Sequence, residues 1–264
     1  MSSPRPWMLH DINYAAVKQR KFEVAVLPLG ATEPHNLHLP YGTDTIEAVE
    51  IASRACQWAY ERGAGVIQLP AIPYGTETNM FEFPLAMNVM PSTLGLLIAD
   101  LVRSLEKHGI RKCLLLNSHG GNEFKPLLRE LAVQTSVKLF LCDWFRGLSA
   151  DVAPQIFTHK EDHAGEVETS LIMELAPELV ATDPVTGRPV ADEGSVRSTR
   201  FEAVNKGWVS LSRPWHLLTT NTGSGNPLEA TPEKGRKLLE ILTQRLGDFL
   251  VELAAAPLDK TFPF

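Results

Sequence analysis

Cysteine is scarce in this chain: three residues in 264. Cys56, Cys113 and Cys142 are odd in number, widely spaced and set in apolar runs. That excludes a disulfide framework or a cysteine zinc knuckle and points to buried thiols in a reducing compartment, expected to be the cytoplasm. No apolar run reaches the ~18 residues of a membrane span. The start, MSSPRPWMLHDINY, lacks the apolar stretch of a secretion signal. A basic stripe is also missing. There are 25 Lys and Arg against 31 Asp and Glu, for a net charge of −6, so neither nucleic acid nor a membrane is an expected partner. No G-x-S-x-G elbow offers a serine nucleophile. The glycine-rich TGSGNP at 222–227 lacks the Lys-Ser/Thr of a P-loop and the G-x-G-x-x-G spacing, and reads as a turn. Internal repeats, low-complexity tracts and linkers are absent, so residues 1–264 are read as a single domain.

What is present is an ordinary apolar content, 44%, arranged as alternating strand and helix patterns. Short apolar runs at 22–30, 65–75, 112–122 and 137–145 read as buried strands, and 81–91 is ambiguous between loop and strand. Helical periodicity covers 44–63, 92–109, 123–135, 162–179 and 231–256. Ser92 or Thr93 is the expected cap of the second helix, and Thr231 with Pro232 opens the last. Residues 191–208 are polar and irregular, a surface excursion. This alternation predicts an α/β fold with a central, mostly parallel sheet flanked by helices as a three-layer sandwich. In such sheets ligand sites form beyond the carboxyl ends of the strands.

Three polar clusters fall at such places. GATEPHNLHLPYGTD (30–44) follows the first strand. Glu33 and His35, two apart in an extended segment, share a side; Asp44 reads equally as a ligand or as a helix N-cap. NSHGGN (117–122) puts His119 at the end of a strand before two glycines, either as a satisfied structural histidine or as a ligand. DHAGEVETS (162–170) opens a helix. If that helix begins by His163, then His163 and Glu166 share a face while Glu168 points elsewhere. An acidic, solvated first turn is the competing reading of Asp162, Glu166 and Glu168. Together the histidines and carboxylates form an oxygen and nitrogen donor set without thiolate, suited to Zn²⁺, Mn²⁺ or Fe²⁺. The donors exceed what one four-coordinate ion needs and fit a pair of ions about 3.5–4 Å apart.

TEPHNLHLPYGTD, NSHGGN and DHAGEVETS resemble, in order and spacing, the three signatures of the creatininase (creatinine amidohydrolase) family across roughly residues 20–175. The resemblance implies an α/β sandwich, two divalent metal ions per chain, hydrolysis of a non-peptide C–N bond in a small amide, and a homohexamer. It implies Glu33 and His119 as ligands of one ion, His35 as ligand of the other and Asp44 as the bridge. His163 is then the catalytic histidine and Glu168 the carboxylate supporting it. Creatinine-hydrolysing members carry a glutamate two residues after the histidine of the second signature, where this chain has Gly121; Glu166 is expected to fill that place as a metal ligand. The departure argues against creatinine itself and leaves a cyclic amide or a formamide as the expected substrate, with a peptide as the alternative. His38 is read as supporting a ligand or as structural, and Trp208 and Trp215 as closing over the substrate or packing at a subunit contact.

The expected chemistry is attack on an amide carbonyl by water activated at the metals, with His163 passing a proton to the leaving nitrogen. Two readings from other classes compete. A single-iron oxygenase would use His35, His119 and one carboxylate and leave the other carboxylates without a role. A non-catalytic, metal-stabilised binding protein is the other alternative, and hydrolysis of a small amide, lost with chelator, excludes it.

Overall fold

The computed structural model describes residues 4–160 and 163–264. Four strands, β1 (Val24–Leu29), β2 (Val66–Gln68), β3 (Lys112–Asn117) and β4 (Lys138–Asp143), form one sheet in the order β2-β1-β3-β4. Every pairing is parallel; Leu27 lies beside Leu115, and Leu115 beside Leu141. The five longer helices are α1 (Thr43–Glu61), α2 (Pro91–Lys107), α3 (Lys125–Leu131), α4 (Glu166–Leu175) and α5 (Pro232–Ala255).

Strand side chains alternate between faces, and both faces are covered. Val24, Val26, Leu114 and Leu116 pack with Ile51, Ala55, Leu171, Leu238 and Leu242 from α1, α4 and α5. Ala25, Leu27, Leu29, Cys113 and Leu115 pack with Leu94, Ile98, Val102 and Leu131 from α2 and α3. This double burial explains why β1 and β3 are continuous apolar runs rather than alternating ones. The result is the expected three-layer α/β sandwich with a parallel sheet, and the three cysteines are free thiols within it.

Several boundaries differ from the sequence reading. The strand expected over 65–75 stops at Gln68, because Pro70 and Pro73 cannot donate to a ladder; only isolated bridges continue, Leu29 to Ile72 and Gly75 to Asn88. Residues 81–91 form no strand. The cap of α2 is Met90, with Pro91 at the first helical position, not Ser92 or Thr93. α4 starts at Glu166, three residues after His163, which instead bridges to Ser224 while Ala164 takes a positive φ of 51°. The α5 start is as expected: the Thr231 hydroxyl accepts the Lys234 N–H. Its far end is closed by Lys112, whose buried ammonium donates to the carbonyls of Leu253, Ala254 and Ala256.

The carboxyl ends of β1, β3 and β4 are neighbours in the sheet. β1 runs into Glu33 and His35, β3 into His119, and β4 into a π-helical turn, Trp144–Leu148. The three sequence clusters therefore meet at one end of the sheet.

Candidate metal centre

Glu33, His35, Asp44, His119 and His163 are all buried at this end, none more than 7% exposed. Each histidine has one ring nitrogen held by a backbone carbonyl. His35 Nδ1 donates to the Glu33 carbonyl at 3.0 Å, His119 Nε2 to the Thr76 carbonyl at 3.2 Å, and His163 Nε2 to the Pro34 carbonyl at 3.0 Å. A carbonyl only accepts, so the proton sits on that nitrogen and the other nitrogen turns its lone pair inward. Those inward nitrogens face carboxylates. His35 Nε2 is 3.1 Å from Asp44 Oδ1. His119 Nδ1 is 2.9 Å from Glu33 Oε1 and 3.1 Å from Asp44 Oδ2. His163 Nδ1 is 3.8 Å from Glu33 Oε1. Lone pair facing lone pair requires a cation between them, a proton or a metal.

The electrostatics say the same. Burial works against charge on His35 and His119, yet the facing Asp44 and Glu33 outweigh it and hold both well above the ordinary histidine value. Burial likewise opposes ionisation of Asp44, but the histidines hold it below the usual carboxylate range. Glu168 is pushed up to about 7 by burial, with His35 opposing and Asp44 adding to the rise. For His163 burial dominates over Glu33, and its pKa is lowered, which keeps the ring neutral.

Three sets of donor atoms are close enough to hold an ion: Glu33 with His35 and His163, Glu33 with Glu77 and His119, and His35 with Asp44 and Glu168. The Asp44 Oδ2 atom is buried and receives no hydrogen bond. An orphaned buried carboxylate oxygen in an all-nitrogen-and-oxygen donor set fits a divalent ion. Asp44 is not an N-cap; that position is Gly42, and Asp44 lies in the first turn of α1 with its carboxylate turned to the histidines.

One sequence expectation changes. Glu166 is not brought to the cluster. Its carboxylate accepts the backbone N–H groups of Thr158 (2.8 Å) and His159 (3.0 Å) and pairs with Lys234 Nζ. The expectation assumed a helix already running at His163; with α4 starting at Glu166, the side chain is directed at α5. Glu168 joins His35 and Asp44 and accepts the N–H of Ala164, next to His163, while the Pro34 carbonyl holds the His163 ring. The sequence reading missed Glu77, which lies in the loop after β2 and carries no motif. It also missed Trp144, whose indole donates to Ser118 Oγ (2.8 Å), which in turn donates to the buried Glu47 (3.0 Å). His38 donates to or accepts from Thr169 Oγ1 at 2.7 Å, bracing the loop against α4. Asp162 lies outside the described residues.

A cavity of about 960 Å³ opens above the cluster, with Glu33, Asp44, His119, His163 and Glu168 at its floor. Trp215 closes one wall and meets His163 edge-on, ring centroids 5.3 Å apart. Trp208, by contrast, is 72% exposed and does not line it.

Comparison with known proteins gives one answer. The family model for creatininase, described as creatinine amidohydrolase, matches residues 10–250. The creatinine amidohydrolase of Pseudomonas putida is 27% identical over 253 residues, covering 87% of this chain and 89% of the relative. A mycofactocin precursor peptide peptidase of Mycolicibacterium smegmatis is 29% identical over 226 residues, covering 85% and 83%. A solved Bacteroides fragilis structure, provisionally described as a creatinine amidohydrolase, superposes with a TM-score of 0.88 at 33% identity, covering 98% of this chain and all of that one. Structures of a manganese creatininase and of a creatininase mutant of Zn-Zn type share the fold, each at 23% identity, with TM-scores of 0.76 and 0.77.

Proposed function

This chain belongs to the creatininase family of hydrolases, and from that premise we propose that it cleaves an amide C–N bond with two divalent metal ions, zinc, manganese or iron. The observation that carries the reading is Asp44. It offers Oδ1 to His35 and Oδ2 to His119, one oxygen to each side of the cluster. Glu33 and His119 would share one ion with Asp44, and His35 and Glu168 the other.

Bound there, such ions lower the pKa of water towards neutrality and polarise the amide carbonyl. The chain's own residues do the rest. Backbone carbonyls lock the tautomers of His35 and His119 so that the inward nitrogens stay deprotonated. Burial keeps His163 neutral with a free lone pair on Nδ1, able to take a proton and hand it to the leaving nitrogen. Trp215, packed edge-on against that ring, holds it in place and excludes water from one side.

The substrate we favour is a cyclic amide or a formamide rather than creatinine, given Gly121 in place of the glutamate of creatinine-hydrolysing members. A peptide is the second reading. It is supported by the cavity of about 960 Å³, at the upper end of the range for small-molecule sites, and by the mycofactocin peptidase relative. By the same family resemblance the working form is a cytoplasmic homohexamer. The test is a hydrolysis screen of cyclic amides, formamides and short peptides. One class should be turned over, the rate should vanish with chelator, and Zn²⁺ or Mn²⁺ should restore it. Turnover indifferent to exhaustive chelation would refute the proposal.

A further inference from the structure

The family reading leaves one place without its ligand. Gly121 has no side chain, and Glu166 is committed to Lys234. The structure brings a carboxylate that the sequence did not mark to the cluster. Glu77 is fully buried, and its carboxylate, with Glu33 and His119, forms one of the three sets of atoms close enough to hold an ion. Its Oε1 lies 2.6 Å from His119 Nε2. That nitrogen's hydrogen goes to the Thr76 carbonyl, and neither oxygen of Glu77 receives a hydrogen bond from any described residue. A buried carboxylate with no donor on either oxygen is costly, by several kcal/mol in order of magnitude, unless a cation compensates it. Asp44 Oδ2 shows the same signature on the other side of the same histidine.

The backbone explains why the ligand comes from here. A β-carbon on Gly121 would stand 2.3 Å from His119 Nε2 and 2.4 Å from the Thr76 carbonyl oxygen. Thr76 therefore occupies the approach that a side chain at 121 would need. The loop is tied into that position. Asn122 Oδ1 accepts the Thr76 N–H at 3.1 Å, and Asn88 Oδ1 accepts the Glu77 N–H at 2.8 Å. Asn122 also donates to Asn117, which donates to the His119 carbonyl. One network thus joins the HGGN turn to the loop that carries Glu77.

We propose that Glu77, supplied from the loop after β2, is a ligand of the ion held by Glu33 and His119. The inference rests on the two-metal reading, and the test separates the two. The metal content of wild type and of Glu77→Gln is measured across a Zn²⁺ titration up to saturation by mass spectrometry, after confirming the fold by circular dichroism. Two ions per chain in wild type and one in Glu77→Gln is the expected result. Two ions in both would overturn the ligand role and leave the two-metal reading standing; a merely weakened second ion, by about 10–100-fold, would make Glu77 a positioning partner of His119. One or none in wild type would overturn both. A second measurement needs no variant. Anomalous diffraction from wild-type crystals soaked in Zn²⁺ should place a Glu77 oxygen about 2.0–2.2 Å from one ion. A separation beyond about 3 Å would exclude ligation.

Discussion

Asp44 sits where a helix cap would be expected, yet its carboxylate turns inward, one oxygen to His35 and the other to His119. Asp44→Asn should therefore empty both metal positions and abolish turnover, with metal content per chain falling from two towards zero. Loss of only one ion would show that it does not bridge. His163 stands differently, with Nδ1 3.8 Å from Glu33 and its other nitrogen held by Pro34. His163→Ala should keep both ions while kcat falls by about 10²–10⁴; a lost ion would make it a ligand. Glu33, His35, Asp44 and His119 were legible in the sequence because each directly follows a strand or opens a helix, where short-range geometry fixes direction. Glu166 was misread because its direction depends on where α4 begins, and a three-residue shift turns it to Lys234. Glu77 was not legible at all. Its position depends on a hydrogen-bonded loop built from Asn88 and Asn122, far apart in sequence.

The elements were legible wherever burial on both sides of the sheet left a continuous apolar run, as in β1 and β3, or where a cap and a proline mark a start, as in α5. The reading failed where proline interrupts an apolar stretch, since composition reports burial and not whether an N–H is available for a ladder. The packing of α5 on α4 was invisible in the sequence. Gly235 lies so close that a β-carbon there would be 2.0 Å from the Ser170 carbonyl oxygen. Gly235→Ala should push the two helices apart and lower stability by about 1–3 kcal/mol, against the gain that alanine usually brings inside a helix. Urea unfolding checks the sign. Because α4 carries Glu168, the variant should also bind metal more weakly.

Over the whole molecule, the proposed ions would compete with protons for one buried cluster. Without metal, burial pushes Glu168 up to about 7, and the facing carboxylates hold His35 and His119 well above the ordinary histidine value. All three bind protons more tightly folded than unfolded. Between about 4.5 and 6.5 the loss from Glu168 is offset by His38, which burial lowers to about 4, and by His163, also lowered, so stability of the metal-free protein should decline mainly above about 6.5, as Glu168, His35 and His119 lose their protons. Bound ions replace those protons, so the loaded protein should lack this decline, and acidification should release its metal. Melting temperature against pH, with and without chelator, checks both. A decline of equal steepness in both forms would place the ions elsewhere.

The central claim is that this end of the sheet is a two-metal centre, and counting ions in the wild-type chain tests it most directly. Equilibrium dialysis of metal-stripped protein against Zn²⁺ or Mn²⁺, followed by elemental analysis, should give two ions per chain, both lost in Asp44→Asn. Saturation at one ion per chain, or metal uptake unchanged by that substitution, would contradict the account.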